Sequence, residues 1–267
     1  MGVKEYLREY SGHNYIYLKS RGNHAIREAL DFLNPERMEK VVLVQDQGGW
    51  LRYLDYPPKY GYVVEKVKTD YGVIIPDELE KITVKADAII YEDPAGYFAS
   101  QPIKEIYEIC KKNDCKVILD ITGSIGWTEE PGRYADVIIC SFGKGKAVNL
   151  GYGGFISFKD EPECNVNEEF DKQYEDDANK KLGNLKERQT ELRDKCQRIK
   201  EELKEFKIIH RERNGINVVV AFDDDKEKER IIRYCDDNNL EYTICPRYIR
   251  VLRDAVSIEI KRFSRTF

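Results

Sequence analysis

The stretch that decides the fold is ADVIICSFGKGKAVNLGYGGFISF, residues 135–158. Its first part, ADVIICSF (135–142), is an apolar run of strand length that stops at Ser141, the mark of a strand covered on both faces. Gly143, Lys144, Gly145 and Lys146 follow, then Gly151-Tyr152-Gly153-Gly154 and a second strand, GGFISF (153–158). Glycines at this density permit a tight bend and close backbone approach. The bend is not a P-loop, because the G-x-x-x-x-G-K-[ST] spacing is missing. It presents two lysines at the end of a buried strand. A lysine near other cations or partly out of water has its pKa lowered and can act as an amine nucleophile. The same letters also describe a basic surface loop.

Working outward, residues 1–160 alternate between strand and helix patterns. KVILDIT (116–122) reads as a strand ending in Asp120, followed by Thr122, Gly123 and Ser124. A carboxylate at the mouth of a buried strand needs a cationic or hydrogen-bonding partner, unless it caps the next element as an Asx turn. KVVLVQD (40–46) is a second buried strand, and Gln47-Gly48-Gly49-Trp50 sets an aromatic ring at its end. Such a ring stacks on a planar ligand or fills a turn in the core. YIYLKS (15–20) is a strand. Gly22 and Asn23 open an amphipathic helix, His24 to Leu33, with Pro35 as its stop. The amides of a helix N-terminus suit an anion such as phosphate, although ordinary capped helices start the same way. VVEKVKT (63–69) and ADAIIYED (86–93) are strands, and IPDELEKI (75–82) and PIKEIYEICKKN (102–113) are helices. This alternation predicts a mainly parallel sheet with helices on both faces, whose ligands bind at the carboxyl ends of the strands.

Towards the C-terminus the composition shifts. Residues 161–206 comprise an acidic irregular segment and one long helix from Asn179 to Phe206. Its apolar stripe (Leu182, Leu185, Leu192, Cys196, Ile199, Leu203 and Phe206) packs on its own domain or serves as a dimer contact. Residues 207–267 read as a small α+β domain: NVVVAF (217–222), a helix over 226–238, then the strands EYTIC (241–245), YIRVL (248–252) and VSIEIK (256–261).

Composition narrows the function classes. Of 267 residues, 41% are hydrophobic and 35% charged, enough for a sizeable core under a charged surface and too apolar for a disordered chain. The net charge of −5 gives no bulk attraction to nucleic acid or an anionic membrane. No apolar run spans a bilayer, and MGVKEYLREYSG lacks the apolar stretch of a secretory signal, so a cytoplasmic protein is expected. Seven cysteines, odd in number and without a C-x-x-C pair, read as reduced thiols, and His13, His24 and His210 lack metal-ligand spacing.

The order of these features resembles the fold type I pyridoxal-phosphate enzymes, and most of all the DegT/DnrJ group of sugar aminotransferases with their small archaeal relatives. RGNHAIREAL, QGGWLRY, DPAGYFASQPIKEI, VILDITGSIG and the stretch at 135–158 carry the likeness, over roughly residues 15–158. The resemblance implies a fold type I transferase-like domain with a seven-stranded-type sheet, and pyridoxal 5'-phosphate as cofactor. It makes Lys146, five residues after Ser141, the Schiff-base lysine and catalytic base, with Lys144 its nearest rival. Asp120 would pair with the pyridine nitrogen and Trp50 would stack on the ring. Gly22, Asn23 and Ser141 would hold the phosphate, with His24 beside them. The chain departs from the group after Asp120, where Ile121, Thr122 and Gly123 replace the small pair and the His or Gln that contacts the ring hydroxyl. Thr122, Ser124 or another residue is left to do so. Tyr152 stands where Glu is frequent, and the chain is short for the group.

The resemblance further implies a homodimer and an aminotransferase working on an amino acid donor and a keto acceptor. The donor carboxylate calls for an arginine fork, for which Arg247, Arg250 and Arg262 are candidates, although each also suits a surface ion pair. Two alternatives keep the cofactor. One is a lyase or desulfurase, with Cys164 as its only positional thiol. The other is a non-catalytic pyridoxal-phosphate-binding protein.

Overall fold

The buried strand runs of the first 160 residues assemble side by side into one sheet. The computed structural model describes residues 2–33 and 40–263, so the stop expected at Pro35 lies outside the described residues. In chain order the elements begin with α1 (Val3–Ser11), β1 (Tyr15–Lys19), α2 (Gly22–Leu33), β2 (Lys40–Gln45) and α3 (Arg52–Asp55). They continue with β3 (Tyr62–Val67), a small hairpin of β4 (Thr69–Asp70) and β5 (Val73–Ile74), α4 (Pro76–Thr83), β6 (Ala88–Glu92), α5 (Ile103–Lys112), β7 (Lys116–Asp120), β8 (Val137–Ser141) and β9 (Gly154–Phe158). After these come α6 (Glu175–Gly183), α7 (Leu185–Glu202), β10 (Lys207–Ile208), β11 (Val218–Ala221), α8 (Asp225–Asp237), β12 (Tyr242–Cys245) and β13 (Ala255–Ile258).

The large sheet has seven strands in the order β1-β9-β8-β7-β6-β2-β3, parallel except for β9. Successive residues face opposite sides, as the strand period of two demands. Val42, Val44, Ile90, Ile118 and Ile139 pack with Ala25, Ile26, Ala29 and Leu30 of α2. Val41, Leu43, Ile89, Leu119 and Ile138 pack on the other side with α1, α4, α5 and α7. Burying a Leu or Ile side chain contributes roughly 1.5–3 kcal/mol, so both layers are strongly held. The small domain is an antiparallel sheet, β10-β11-β13-β12, with Ile231 and Cys235 of α8 against it, and it shares the core of the second face.

Three sequence expectations change. The single helix over 179–206 is two helices meeting at Asn184, which ends α6 and starts α7. Its stripe is consumed within the chain: Leu185, Leu192, Cys196 and Ile199 are buried, and so is Gln189, whose Nε2 donates to the carbonyls of Gly123 and Ile125. YIRVL is a turn rather than a strand, closed by Arg250 N–H to Arg247 O (2.9 Å) and Arg247 N–H to Val251 O (2.8 Å). Residues 3–11, to which the sequence reading assigned no element, form α1, with Val3 and Leu7 buried and Gly12 ending it at φ +74°.

Candidate active site

Parallel strands of equal register bring their last residues into a row. Glu92 of β6 pairs with Asp120 of β7, and Ser141 ends β8. Both carboxylates lie on the sheet face covered by α2, because Ile90 and Ile118, two residues earlier, pack there. Asp120 Oδ2 accepts from Tyr53 Oη at 2.6 Å, and Oδ1 accepts from the Thr122 amide and hydroxyl at 2.8 and 2.5 Å. Burial raises the Asp120 pKa, and these donors and Lys146 oppose the rise. Thr122 Oγ1 also accepts from Ser141 N–H at 2.9 Å, which ties the ends of β7 and β8 together.

The glycine-rich bend after β8 is tight. Gly145 has φ +70°, and its N–H donates to Asn149 Oδ1 at 2.8 Å. It separates the two lysines: Lys144 is exposed, whereas Lys146 lines the pocket. Lys146 Nζ donates to Tyr97 Oη at 2.6 Å and sits 5.0 Å from the Trp50 ring centroid. Burial lowers its pKa, against the pull of Glu92 and Asp120, so the amine is easier to deprotonate than an exposed lysine. Trp50 is fixed by its Nε1–H donating to Asn23 Oδ1 at 3.0 Å. The backbone at Gly22 passes so close to Ser141 that a Cβ there would stand 2.6 Å from Ser141 Cβ.

One pocket is thus lined by Gly22, Asn23, Trp50, Asp120, Thr122, Ser141 and Lys146, all singled out from the sequence, together with Tyr97. His24 is not on that lining. Its Nδ1 lies 2.5 Å from Glu169 and 3.1 Å from Ser20 Oγ, where the acidic segment returns over β1. Arg247 is exposed, and Arg262 pairs with Glu241 on the surface. Arg250 is buried, and its fork is occupied: Nε and Nη2 donate to the two oxygens of Glu259 at 2.8 and 2.7 Å, with Lys261 on the same carboxylate. Although burial pushes Glu259 up, Arg250 and Lys261 hold it well below the usual carboxylate range. Burial and Arg250 bring Lys261 down to about 7.

Sequence reasoning missed Tyr53, Tyr97 and Glu92. Glu92 carried a signal, since it is a second carboxylate ending an apolar strand. Burial and Asp120 push it up to about 8. Among the described residues no cluster of three or more His, Cys, Asp or Glu side chains could hold a metal ion.

Comparison with known proteins agrees with this fold. Residues 59–183 match the DegT/DnrJ/EryC1/StrS aminotransferase family, and residues 186–266 match the MJ1341 family C-terminal domain. Over residues 59–183 the chain is similar to the DegT/DnrJ group, and its fold is that of the fold type I enzymes. A NifS-like protein superimposes with a TM-score of 0.74 at 16% identity, over 96% of this chain and 80% of the other. A serine palmitoyltransferase from S. paucimobilis, solved with bound PLP, gives 0.74 at 15%, over 98% and 72%. A 3-amino-5-hydroxybenzoic acid synthase gives 0.73 at 14%, over 97% and 85%. At these identities the three share the fold. No curated protein matches significantly. Pyridoxal 5'-phosphate is the cofactor that accompanies the family match, and the donor set suits it: a buried amine, a carboxylate for a pyridinium, an aromatic face, and two amides with a hydroxyl for phosphate. Among the described residues no helix is long and apolar enough to cross a membrane.

Proposed function

We propose that this DegT/DnrJ-like chain is a pyridoxal-phosphate-dependent aminotransferase that works through Lys146 on an amino acid donor and a keto acceptor. One observation carries the reading: Lys146 Nζ, Asp120 and the Trp50 ring line one pocket at the carboxyl ends of the parallel strands. When bound, pyridoxal phosphate supplies an electron sink for charge developing at the substrate Cα. Lys146 would hold the cofactor through its aldehyde carbon, with loss of water, and, once displaced by the donor's amino group, would take and return the Cα proton, for which its lowered pKa suits it. Asp120 would hold a proton at the pyridine nitrogen, and Trp50 would cover one ring face. The amides of Gly22 and Asn23 with Ser141 Oγ would bind the phosphate. A donor carboxylate would have to displace Glu259 from Arg250 or use the more exposed Arg247 or Arg262.

The likeness to a NifS-like protein brings in a desulfurase reading. That chemistry needs a reactive thiolate. Cys164 has the opposite bias, since burial and the nearby Glu28 and Asp31 raise its pKa. We also propose that the chain is a cytoplasmic homodimer, which sedimentation would test. The function is tested by absorbance spectra of the purified protein with a panel of amino acids. Loss of the imine band with an amino donor and its return with a keto acid support an aminotransferase. Sulfide release from cysteine without any keto acid overturns it.

A further inference from the structure

Gly123 and Tyr97 occupy complementary space. A Cβ on Gly123 would stand 2.6 Å from Pro94 Cδ and 3.1 Å from Tyr97 Cδ1, so the Pro94 ring, with the edge of the Tyr97 ring beside it, fills the volume a side chain at 123 would need. The two hydroxyls that follow Asp120 are already engaged. Thr122 Oγ1 donates to Asp120 and accepts from Ser141 N–H, and Ser124 Oγ donates to the Asp93 carbonyl at 3.0 Å. The Tyr97 phenol lies at the pocket instead, 2.6 Å from Lys146 Nζ and hydrogen-bonded to the Glu92 carboxyl. The backbone pays for this placement with φ +71°, a left-handed conformation unusual for tyrosine. It is held there by the small domain, because the Tyr97 carbonyl accepts from Ile216 and Asn217 N–H at 2.7 and 2.9 Å. The Arg250 guanidinium and Lys261 Nζ lie 5.2 and 4.8 Å from the centre of the ring.

We infer that Tyr97 is the positioning residue for Lys146, and that its hydroxyl meets the ring oxygen of pyridoxal phosphate. The second half rests on the cofactor reading above. In pyridoxal the aldehyde is ortho to the ring hydroxyl, so an amine nitrogen bonded to that carbon lies within hydrogen-bond reach of the ring oxygen. A hydroxyl beside Lys146 Nζ therefore stands next to that oxygen too. Burial, followed by Glu92 and Asp120, pushes the Tyr97 phenol well above its ordinary pKa, so it stays protonated. Glu92, pushed up to about 8, carries a proton at neutral pH and donates to the phenol oxygen, which leaves the one phenol O–H for the ring oxygen. A donor there stabilises the anionic ring oxygen and so favours loss of the neighbouring nitrogen's proton.

Tyr97→Phe removes only the hydroxyl and keeps the packed ring. In the holoenzyme, the midpoint of the chromophore's absorbance–pH titration should rise by about one unit, the scale of one hydrogen bond to a charged group. The borohydride-fixed adduct should still form. A cofactor-free measurement tests the first half: the pH profile of Lys146 acylation in the apoprotein should shift to lower pH in Tyr97→Phe, because the ammonium loses its acceptor. An unmoved acylation profile overturns the positioning role. An unmoved chromophore midpoint in a variant that binds cofactor overturns contact with the ring oxygen. A wild-type protein that takes up no pyridoxal phosphate overturns the function reading and that contact with it, while the acylation profile still decides the positioning role.

Discussion

Arg250 and Glu259 face each other through two parallel hydrogen bonds, 2.8 and 2.7 Å long, inside the small domain. Both side chains are almost fully buried, and Lys261, Ser257 and Asn217 also reach the same carboxylate. Breaking a buried ion pair by deleting one member leaves an uncompensated charge and costs about 3–5 kcal/mol. Glu259→Ala should therefore lower the thermal midpoint sharply. A variant that melts with the wild type would show that Arg250 and Lys261 find water or other partners.

Stability should also depend on pH through Glu92. Its folded pKa of about 8 lies above the 4.5 of an ordinary glutamate, so the folded state favours the protonated form. That contribution is fully present below pH 4.5 and is lost as pH rises from 4.5 through about 8. Asp93, pushed up to about 6 by burial, adds to the same slope between 3.8 and 6. Chemical denaturation at stepped pH should show the decline, and Glu92→Gln should flatten it above pH 6. An identical slope in that variant would assign the dependence to other groups.

Much of this site could be read in the sequence for a simple reason. Buried parallel strands are continuous apolar runs, so the polar residue that ends each run stands out, as Asp120 and Ser141 do. The glycines after Ser141 marked the bend that carries Lys146. Tyr97 did not stand out, because its place depends on a left-handed backbone and on contacts with residues 216 and 217, more than a hundred positions away. The turn at 247–251 carries a strand-like pattern, with Ile249 and Val251 on either side of Arg250. Arg250 points inward there because Glu259 on the far side of the hairpin neutralises it. Gln189 interrupts an otherwise apolar stripe, and only the fold shows that it binds the carbonyls of the loop after Asp120.

Arg188 joins the lysine bend to the end of the described chain. Its Nε donates to Ala147 O at 2.7 Å, and its terminal nitrogens donate to Lys261 O at 3.1 Å and Phe263 O at 3.2 Å. Three charged hydrogen bonds on a half-buried side chain are together worth about 1–3 kcal/mol after solvent screening. In Arg188→Ala, hydrogen exchange should quicken in residues 143–149 and 260–263 together. Faster exchange confined to α7 would contradict the link.

Gly22 is proposed to face the phosphate, and its backbone passes close to Ser141. A methyl group there would push into Ser141 Cβ and Oγ, at 2.6 and 3.0 Å. Gly22→Ala should weaken pyridoxal phosphate binding at least tenfold, equivalent to about 1.4 kcal/mol, with little change in affinity for phosphate-free pyridoxal. Equal losses for both ligands would place the phosphate elsewhere.

The central claim is that one amine, Lys146 Nζ, bonds the cofactor. Lys144 is its neighbour in sequence, and Lys261 is a second amine near the Tyr97 ring with a lowered pKa. The most direct measurement is borohydride reduction of the protein loaded with pyridoxal phosphate, followed by peptide mass mapping. A single pyridoxyl adduct on Lys146 is expected. An adduct on Lys144 or Lys261, or none at all, would contradict it.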